Sequence, residues 1–131
     1  MYTDMLKHKE ITDIILKGFY EAYNELGNGF LESVYENALY IVSTGYGLSV
    51  EKQKDISVFF RGDKIGDFKT DLIVNGKVIV ELKAVRKIDP AHEAQLIHYL
   101  KATDIEVGLL LNFGGEPEFK RFVYEDKRNN P

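Results

Sequence analysis

Residues 78–84, Val-Ile-Val-Glu-Leu-Lys-Ala, form the stretch that decides the fold of this 131-residue chain. Side chains alternate between the two faces of a β-strand, so Ile79, Glu81 and Lys83 share one face. A carboxylate and an ammonium group in an otherwise apolar strand must pair, reach water or bind a ligand, because an unpaired buried charge is costly. Taken alone, this pattern is more typical of a salt-bridged or solvated strand face than of a functional site.

A hairpin in front of this strand brings a second carboxylate, Asp71, ten residues ahead of Glu81. Asn75-Gly76 between the two strands is a strong hairpin signal. A two-residue turn would place Asp71 opposite Val80, with its side chain pointing away from Glu81. A three-residue loop would place both carboxylates on one face. The sequence is compatible with both registers, and we favour the three-residue loop because it also gathers the apolar side chains of the two strands on matching faces.

Two carboxylates at cross-strand distance repel each other, which raises a pKa or recruits a cation. Carboxylate oxygens favour Mg²⁺ or Mn²⁺. Lys83, on the face of Glu81, could orient or deprotonate an attacking water and stabilise negative charge in a transition state. The residues therefore predict a divalent-metal site suited to hydrolysis.

The periodicity of apolar residues gives the order of the remaining elements. It predicts helices at residues 11–26, 31–42 and 90–102, and strands at residues 56–60, 68–74, 78–84, 106–112 and 119–124. The strand–helix–strand unit between Val78 and Asn112 implies a parallel pair within an otherwise antiparallel sheet. We therefore predict an α/β fold, a mixed β-sheet flanked by helices. We expect one domain over residues 1–131, compact over about residues 10–124, with a frayed tail at 125–131.

Asp71, followed ten residues later by Glu81-Leu82-Lys83, resembles the motif of the PD-(D/E)XK, or restriction-endonuclease-like, nuclease superfamily. Residues 29–35, Gly-Phe-Leu-Glu-Ser-Val-Tyr, are similar to the signature of the GxxExxY protein family, a branch of that superfamily. Residues 80–85 and 92–96 are similar to that family as well. The resemblance extends over about residues 11–112 and implies a restriction-endonuclease-like core.

The resemblance also implies roles for individual residues. Asp71 and Glu81 would hold the metal together with the backbone carbonyl of Leu82, and Lys83 would be the catalytic lysine. Glu32 would approach the metal directly or through water. Alternatively, Glu32 is a glutamate that stabilises the first turn of its helix through the helix dipole and has no role in metal binding.

Two positions depart from the superfamily pattern, and one signature residue has a structural explanation. Thr70 precedes Asp71 where the motif name has a proline, and Lys69 stands where we expect an arginine. Lysine is also basic, but it does not bind bidentately. Tyr35 of the GxxExxY signature is predicted to lie in the core rather than to act in catalysis.

In the third predicted helix, His92, Gln95 and Tyr99 fall on one face. Gln95 and Tyr99 resemble a helix motif of exonuclease-like members that contacts the active site or the nucleic acid. A helix face packed on the sheet, with polar tips reaching outward, explains the same spacing. We take Gln95 as a candidate catalytic residue, and His92, Tyr99 and Lys69 as candidate substrate contacts.

Composition excludes several other classes of function. The chain has no cysteine, which rules out a thiolate zinc site and a cysteine nucleophile. No apolar run approaches the roughly 20 residues of a membrane span, and the first ten residues lack a signal-peptide pattern, so we expect a cytoplasmic protein that does not bind membranes. The net charge of -4, without a basic tail, excludes a histone-like coating protein but allows a focused nucleic-acid site.

We therefore predict a Mg²⁺- or Mn²⁺-dependent hydrolase, a nuclease that cleaves DNA or RNA through a metal-activated water. The alternative is a catalytically inactive module of the same fold that binds nucleic acid or a protein partner, with a homodimer as one arrangement. The acidic net charge slightly favours this alternative. A third class, proteins that bind small molecules or iron chelates, lacks support because no export signal and no ligand motif occurs.

Overall fold

The computed structural model describes residues 7–125. The predictions for the first ten residues and for the tail at residues 125–131 therefore lie outside the described residues, except at residues 7–10 and 125. The elements, in chain order, are α1 (Lys9–Leu26), α2 (Glu32–Gly45), β1 (Val50–Phe60), β2 (Asp63–Val74), β3 (Val78–Lys83), α3 (Pro90–Lys101), β4 (Val107–Asn112) and β5 (Glu118–Val123).

The five strands form one mixed sheet in the order β1-β2-β3-β4-β5. β3 and β4 are parallel, and every other neighbouring pair is antiparallel. Helix α3 makes the crossover between the parallel strands. The predicted order of elements, the mixed sheet and its single parallel pair are confirmed.

Each face of the sheet has its own apolar core. Helices α1 and α2 cover one face, where Phe19 and Tyr35 pack on strand residues such as Leu72, Val80 and Leu82. Helix α3 covers the other face, where residues of β2, β3 and β4 form a second core with it: Ile73, Ile79, Leu96, Tyr99, Leu100 and Leu110. The alternation predicted for residues 78–84 therefore sends the two sets of β3 side chains to two different helix layers.

Tyr35 is fully buried and stacks on Phe113, with ring centroids 4.2 Å apart. Its hydroxyl donates to the carbonyl of Gly27 at 2.6 Å and accepts from the N–H of Phe30 at 3.2 Å. Tyr35 thus fixes the loop between α1 and α2, and its predicted place in the core is confirmed.

The hairpin between β2 and β3 has the three-residue register. Val74 pairs with Val78 and Ile73 with Ile79, which leaves residues 75–77 as the loop. Asn75 and Gly76 both take left-handed φ angles, 53° and 63°, which glycine and asparagine adopt more readily than other residues. The register that brings Asp71 and Glu81 together is confirmed.

β1 and β2 are longer than the sequence pattern predicted. β1 begins at Val50 rather than residue 56, and β2 begins at Asp63 rather than residue 68. Residues 51–55 and 63–65 are exposed, so they carry no apolar alternation from which a strand could be predicted. The two strands pair with each other along an extended arm, while only residues 72–74 of β2 pair with β3.

None of the helices within residues 7–125 is long and apolar enough to cross a lipid bilayer. The cytoplasmic location expected from the sequence stays a prediction.

Candidate functional site

The carboxylates of Asp71 and Glu81 meet where β2 and β3 separate. The last paired residues of the two strands are Leu72 and Val80. Beyond them, the N–H of Leu82 donates to Asp71 Oδ2 at 2.8 Å, and the N–H of Asp71 donates to Glu81 Oε2 at 2.9 Å. Side-chain carboxylates thus replace the strand carbonyls as acceptors, which opens the sheet and keeps the two acidic groups next to each other.

Glu81 is buried, with 4% of its surface exposed. Burial raises the pKa of its carboxyl from 4.5 to about 7, and the negative charge of Asp71 adds to the rise. Hydrogen bonds from Thr70 and from the Asp71 backbone, and the charge of Lys83, act in the opposite direction on this pKa. The ionised pair is therefore costly in the absence of a proton or a cation.

Thr70 is a site residue that the sequence analysis missed. Its hydroxyl is fully buried and donates to Glu81 Oε2 at 2.6 Å. The same oxygen therefore accepts two hydrogen bonds, which fixes the orientation of the carboxylate. Sequence offered one signal, because Thr70 occupies the position of the motif proline, and a proline could not donate this bond.

Three groups at the opening remain available to a ligand. Within residues 7–125, Glu81 Oε1 has no hydrogen-bond partner, and Lys83 Nζ has no ion-pair partner within 4.0 Å. The carbonyl of Lys83 accepts from Phe113 on the β4 side at 2.8 Å. N–H and C=O of one strand residue point to the same side, so the Leu82 carbonyl points, like its N–H, toward β2 where pairing has ended.

Two carboxylates and a backbone carbonyl, completed by water, are the donors that Mg²⁺ uses in proteins. This donor set and the raised pKa of Glu81 fit a divalent cation. Among the described residues, no three His, Asp or Glu side chains lie close enough to hold a metal ion, so Glu32 does not complete a three-carboxylate set with Asp71 and Glu81. Glu32 is exposed at the first position of α2.

The helix carboxylate that the structure connects to Asp71 is Glu36, one turn after Glu32. Gln53 Nε2, from β1, donates to Glu36 Oε1 at 2.7 Å and lies 3.4 Å from Asp71 Oδ1. Burial raises the pKa of the half-buried Glu36; the charges of Asp71 and Glu32 also raise it, while the Gln53 bond lowers it. The sequence analysis missed Glu36 and Gln53. The four-residue spacing from Glu32 could have suggested Glu36, but no sequence signal marks Gln53.

Helix α3 places Tyr99 over the carboxylate face of the sheet. Tyr99 is 8% exposed and stacks on Phe68, with ring centroids 4.1 Å apart. Burial raises the pKa of its hydroxyl, and the charges of Glu81 and Asp71 raise it further. The charges of the carboxylate pair therefore act on Tyr99, although its ring packs in the core.

The other predicted site residues, His92, Lys69 and Gln95, are engaged elsewhere or exposed. His92 belongs to the cap of α3, because its Nδ1 accepts from the N–H of Asp89 at 3.2 Å. Lys69 forms an exposed ion pair with Asp55 at 2.5 Å. Gln95 is exposed on α3. None of the three forms a hydrogen bond or an ion pair with Asp71 or Glu81.

Comparisons with known proteins identify the fold and the family of this chain. In structure, the chain is similar to the crystal structure of SSO0001, with a TM-score of 0.56 and 18% sequence identity over 94% of this chain. The chain spans 66% of the length of that protein, and the likeness shows the fold, which is restriction-endonuclease-like. A search of curated proteins finds no match to the sequence. A comparison with protein families matches residues 9–122 to the PD-(D/E)XK nuclease superfamily, and the chain belongs to that superfamily.

Proposed function

We propose that this protein is a metal-dependent nuclease that hydrolyses phosphodiester bonds in DNA or RNA. One observation carries the proposal: the buried carboxylate of Glu81 lies against Asp71 at an opening in the sheet. The ammonium of Lys83, two residues along the same strand, has no ion-pair partner among residues 7–125. Membership of the nuclease superfamily supports the same reaction and a nucleic-acid substrate.

In this proposal Asp71, Glu81 and the Leu82 carbonyl hold Mg²⁺ or Mn²⁺. The bound ion would supply an acidified water and a positive charge for the phosphate oxygens. Lys83 would orient the attacking water and stabilise the negative charge that develops on the phosphate. Thr70 and the backbone N–H groups of Asp71 and Leu82 keep the two carboxylates in place, so that no reorganisation is needed during the reaction.

The finer assignments belong to the same proposal. We propose membership of the GxxExxY branch, with Glu32 reaching the metal through water. Gln95 would act at the active site, and His92, Tyr99 and Lys69 would contact the substrate. Lys69 would first have to leave Asp55, an exchange that costs little because exposed ion pairs contribute about 0–1 kcal/mol.

Calorimetric titration of Mn²⁺ and cleavage assays on single- and double-stranded DNA and RNA test the proposal. We expect Asp71→Asn and Glu81→Gln to lose Mn²⁺ binding and cleavage. We expect Lys83→Met to keep Mn²⁺ binding but lose cleavage. Asp63→Asn and Lys77→Met, which change exposed residues outside the site, are matched controls and should behave as wild type. Cleavage that survives all three site variants would refute the proposal.

An exposed apolar tip on the β1–β2 arm favours a second candidate, a non-catalytic module that binds a partner protein. Phe59, Phe60 and Ile65 are 62%, 57% and 65% exposed. Exposed clusters of this kind mark interaction surfaces. This candidate predicts no Mn²⁺ binding and no cleavage by folded wild-type protein. Sedimentation of the wild type and of Phe59→Ser would then show whether the partner is a second copy of the chain.

A further inference from the structure

The alternation of side chains along β2 reverses at Asp71. Leu72 and Val74 pack in the core under α1 and α2. In a regular strand, other even-numbered residues would share that face. Instead, Thr70 donates to Glu81, and Phe68 packs with the opposite core and stacks on Tyr99. The reversal therefore lies between Thr70 and Leu72.

On the neighbouring strand β1, the residue opposite Asp71 is Gln53. Lys52 pairs with Leu72 and Lys54 with Thr70, which leaves Gln53 opposite Asp71. The φ angle of Gln53 is 51°, in the left-handed region that a residue with a side chain rarely adopts. The other non-glycine residues with such angles in the described part lie at a helix start or in turns: His8, Arg61 and Asn75. Gln53 takes this costly conformation in the middle of a strand, and such outliers often mark functional sites.

The side chain of Gln53 adds a second connection. Its amide nitrogen has two hydrogens, so it can donate to two acceptors at once. The acceptors are the carboxylates of Glu36, at 2.7 Å, and of Asp71, at 3.4 Å. Because Asp71 Oδ2 already accepts from Leu82, both oxygens of Asp71 have a donor. Helix α2 is thereby joined to the carboxylate pair through a single amide.

We propose that Gln53 is a positioning residue for the metal centre of the nuclease proposed above. Its amide holds Asp71 against Glu36, and its left-handed backbone lies directly opposite the point where the alternation of β2 reverses. Gln53 acts through Asp71 and touches neither metal nor substrate. This inference rests on the proposed function, and the tests below separate the two.

Two substitutions isolate the amide from the backbone. In Gln53→Gly, the glycine adopts a left-handed φ readily, and the side-chain amide is removed. In Gln53→Asn, the asparagine tolerates that φ, but its side chain is one methylene shorter, so its amide does not reach the same acceptors. We expect both to weaken Mn²⁺ binding about 10- to 100-fold, as is typical when a partner of a metal ligand is removed, without unfolding the protein. Arg61→Gly is the matched control, because Arg61 has a φ of 52° in the turn between β1 and β2. It should leave Mn²⁺ affinity unchanged.

A metal-free readout is given by the side-chain amide of Gln53 in ¹H–¹⁵N spectra. We expect its resonances to shift in Glu36→Gln and in Asp71→Asn, because each change replaces a charged acceptor. Unmoved resonances in both variants would overturn the inference. So would Mn²⁺ affinity that stays within twofold of wild type in Gln53→Gly while Asp71→Asn abolishes binding, and the nuclease proposal would then stand without it. No Mn²⁺ binding by wild type would overturn the metal-centre role together with the proposed function.

Discussion

Replacing Glu81 with glutamine should stabilise the metal-free protein at neutral and alkaline pH. The amide has the shape of the carboxyl group, and its oxygen can accept the bonds from Thr70 and Asp71 that Glu81 Oε2 accepts now. What the substitution removes is a negative charge that is buried beside another negative charge.

The size and sign of this effect follow from the pKa of Glu81. The folded protein keeps the proton up to about pH 7, whereas the unfolded chain loses it at about 4.5. Between these values the folded state binds more protons, so the free energy of unfolding falls as pH rises. The stabilising contribution of the protonated carboxyl is complete below about pH 4.5 and is lost as pH rises through 7. Each pH unit corresponds to about 1.36 kcal/mol, so the loss at pH 8 is on the order of 3 kcal/mol.

Urea denaturation followed by far-ultraviolet circular dichroism, between pH 5 and 8 and with a chelator present, measures this difference. We expect Glu81→Gln and wild type to have similar free energies of unfolding at pH 5. At pH 8 we expect the variant to be more stable, by up to about 3 kcal/mol. Titrating groups that do not interact with Glu81 act equally in both proteins, so the difference isolates Glu81 and its immediate neighbours. Glu51→Gln, an exposed glutamate on β1, should follow the wild-type curve. A difference that does not change with pH would refute the reasoning.

Three further substitutions test the packing and hydrogen bonding of the fold. The hydroxyl of Ser43 is buried in α2 without a hydrogen-bond partner among the described residues. Ser43→Ala should therefore leave the free energy of unfolding unchanged or raise it by up to about 1 kcal/mol, and the melting temperature should follow. A clear decrease in melting temperature would contradict this. Asn112 Oδ1 accepts from the N–H groups of Val85 and Gly114, both at 3.0 Å. Asn112→Ala should lower the free energy of unfolding, measured by urea denaturation, by about 3 kcal/mol. An unchanged free energy of unfolding would show that water replaces these bonds. A methyl group on Gly108 would lie 2.9 Å from Leu96 Cδ1, so Gly108→Ala should lower the free energy of unfolding by about 1–3 kcal/mol. In a double-mutant cycle, this loss should be smaller when Leu96 has already been replaced with alanine.

The parts of the fold that the sequence predicted depend on short-range rules. The apolar alternation of residues 78–84 and the Asn75-Gly76 turn define β3 and its hairpin, and matching apolar faces selected the register that the structure has. The same register brings Asp71 and Glu81 together, so the carboxylate pair could be predicted along with the fold. Both predictions use only the periodicity of side chains and the length of one loop.

The parts that the sequence did not predict depend on an irregularity of the β1–β2 arm at Gln53 and Asp71. A left-handed φ at a glutamine has no sequence signature, because glutamine has no preference for that region. Regular alternation along β2 would assign Thr70 to the face of Leu72, away from Glu81, and by sequence Gln53 is one more polar residue of an exposed edge strand. Glu36 was missed for the same reason, since its connection to Asp71 passes through Gln53.

At the opening between β2 and β3, the ionised carboxylates that favour metal binding lower the stability of the metal-free protein. The carboxylates there occupy positions where strand pairing would otherwise continue, and the pair can ionise fully only at a cost to the folded state. A cation that binds the ionised pair removes the repulsion and adds its binding free energy to the free energy of unfolding. At pH 8, Mn²⁺ should therefore stabilise wild type, whereas Glu81→Gln should be stable without metal and respond little to it. Because protonation and metal binding satisfy the same pair, the affinity for Mn²⁺ should rise with pH through about 7, where Glu81 loses its proton.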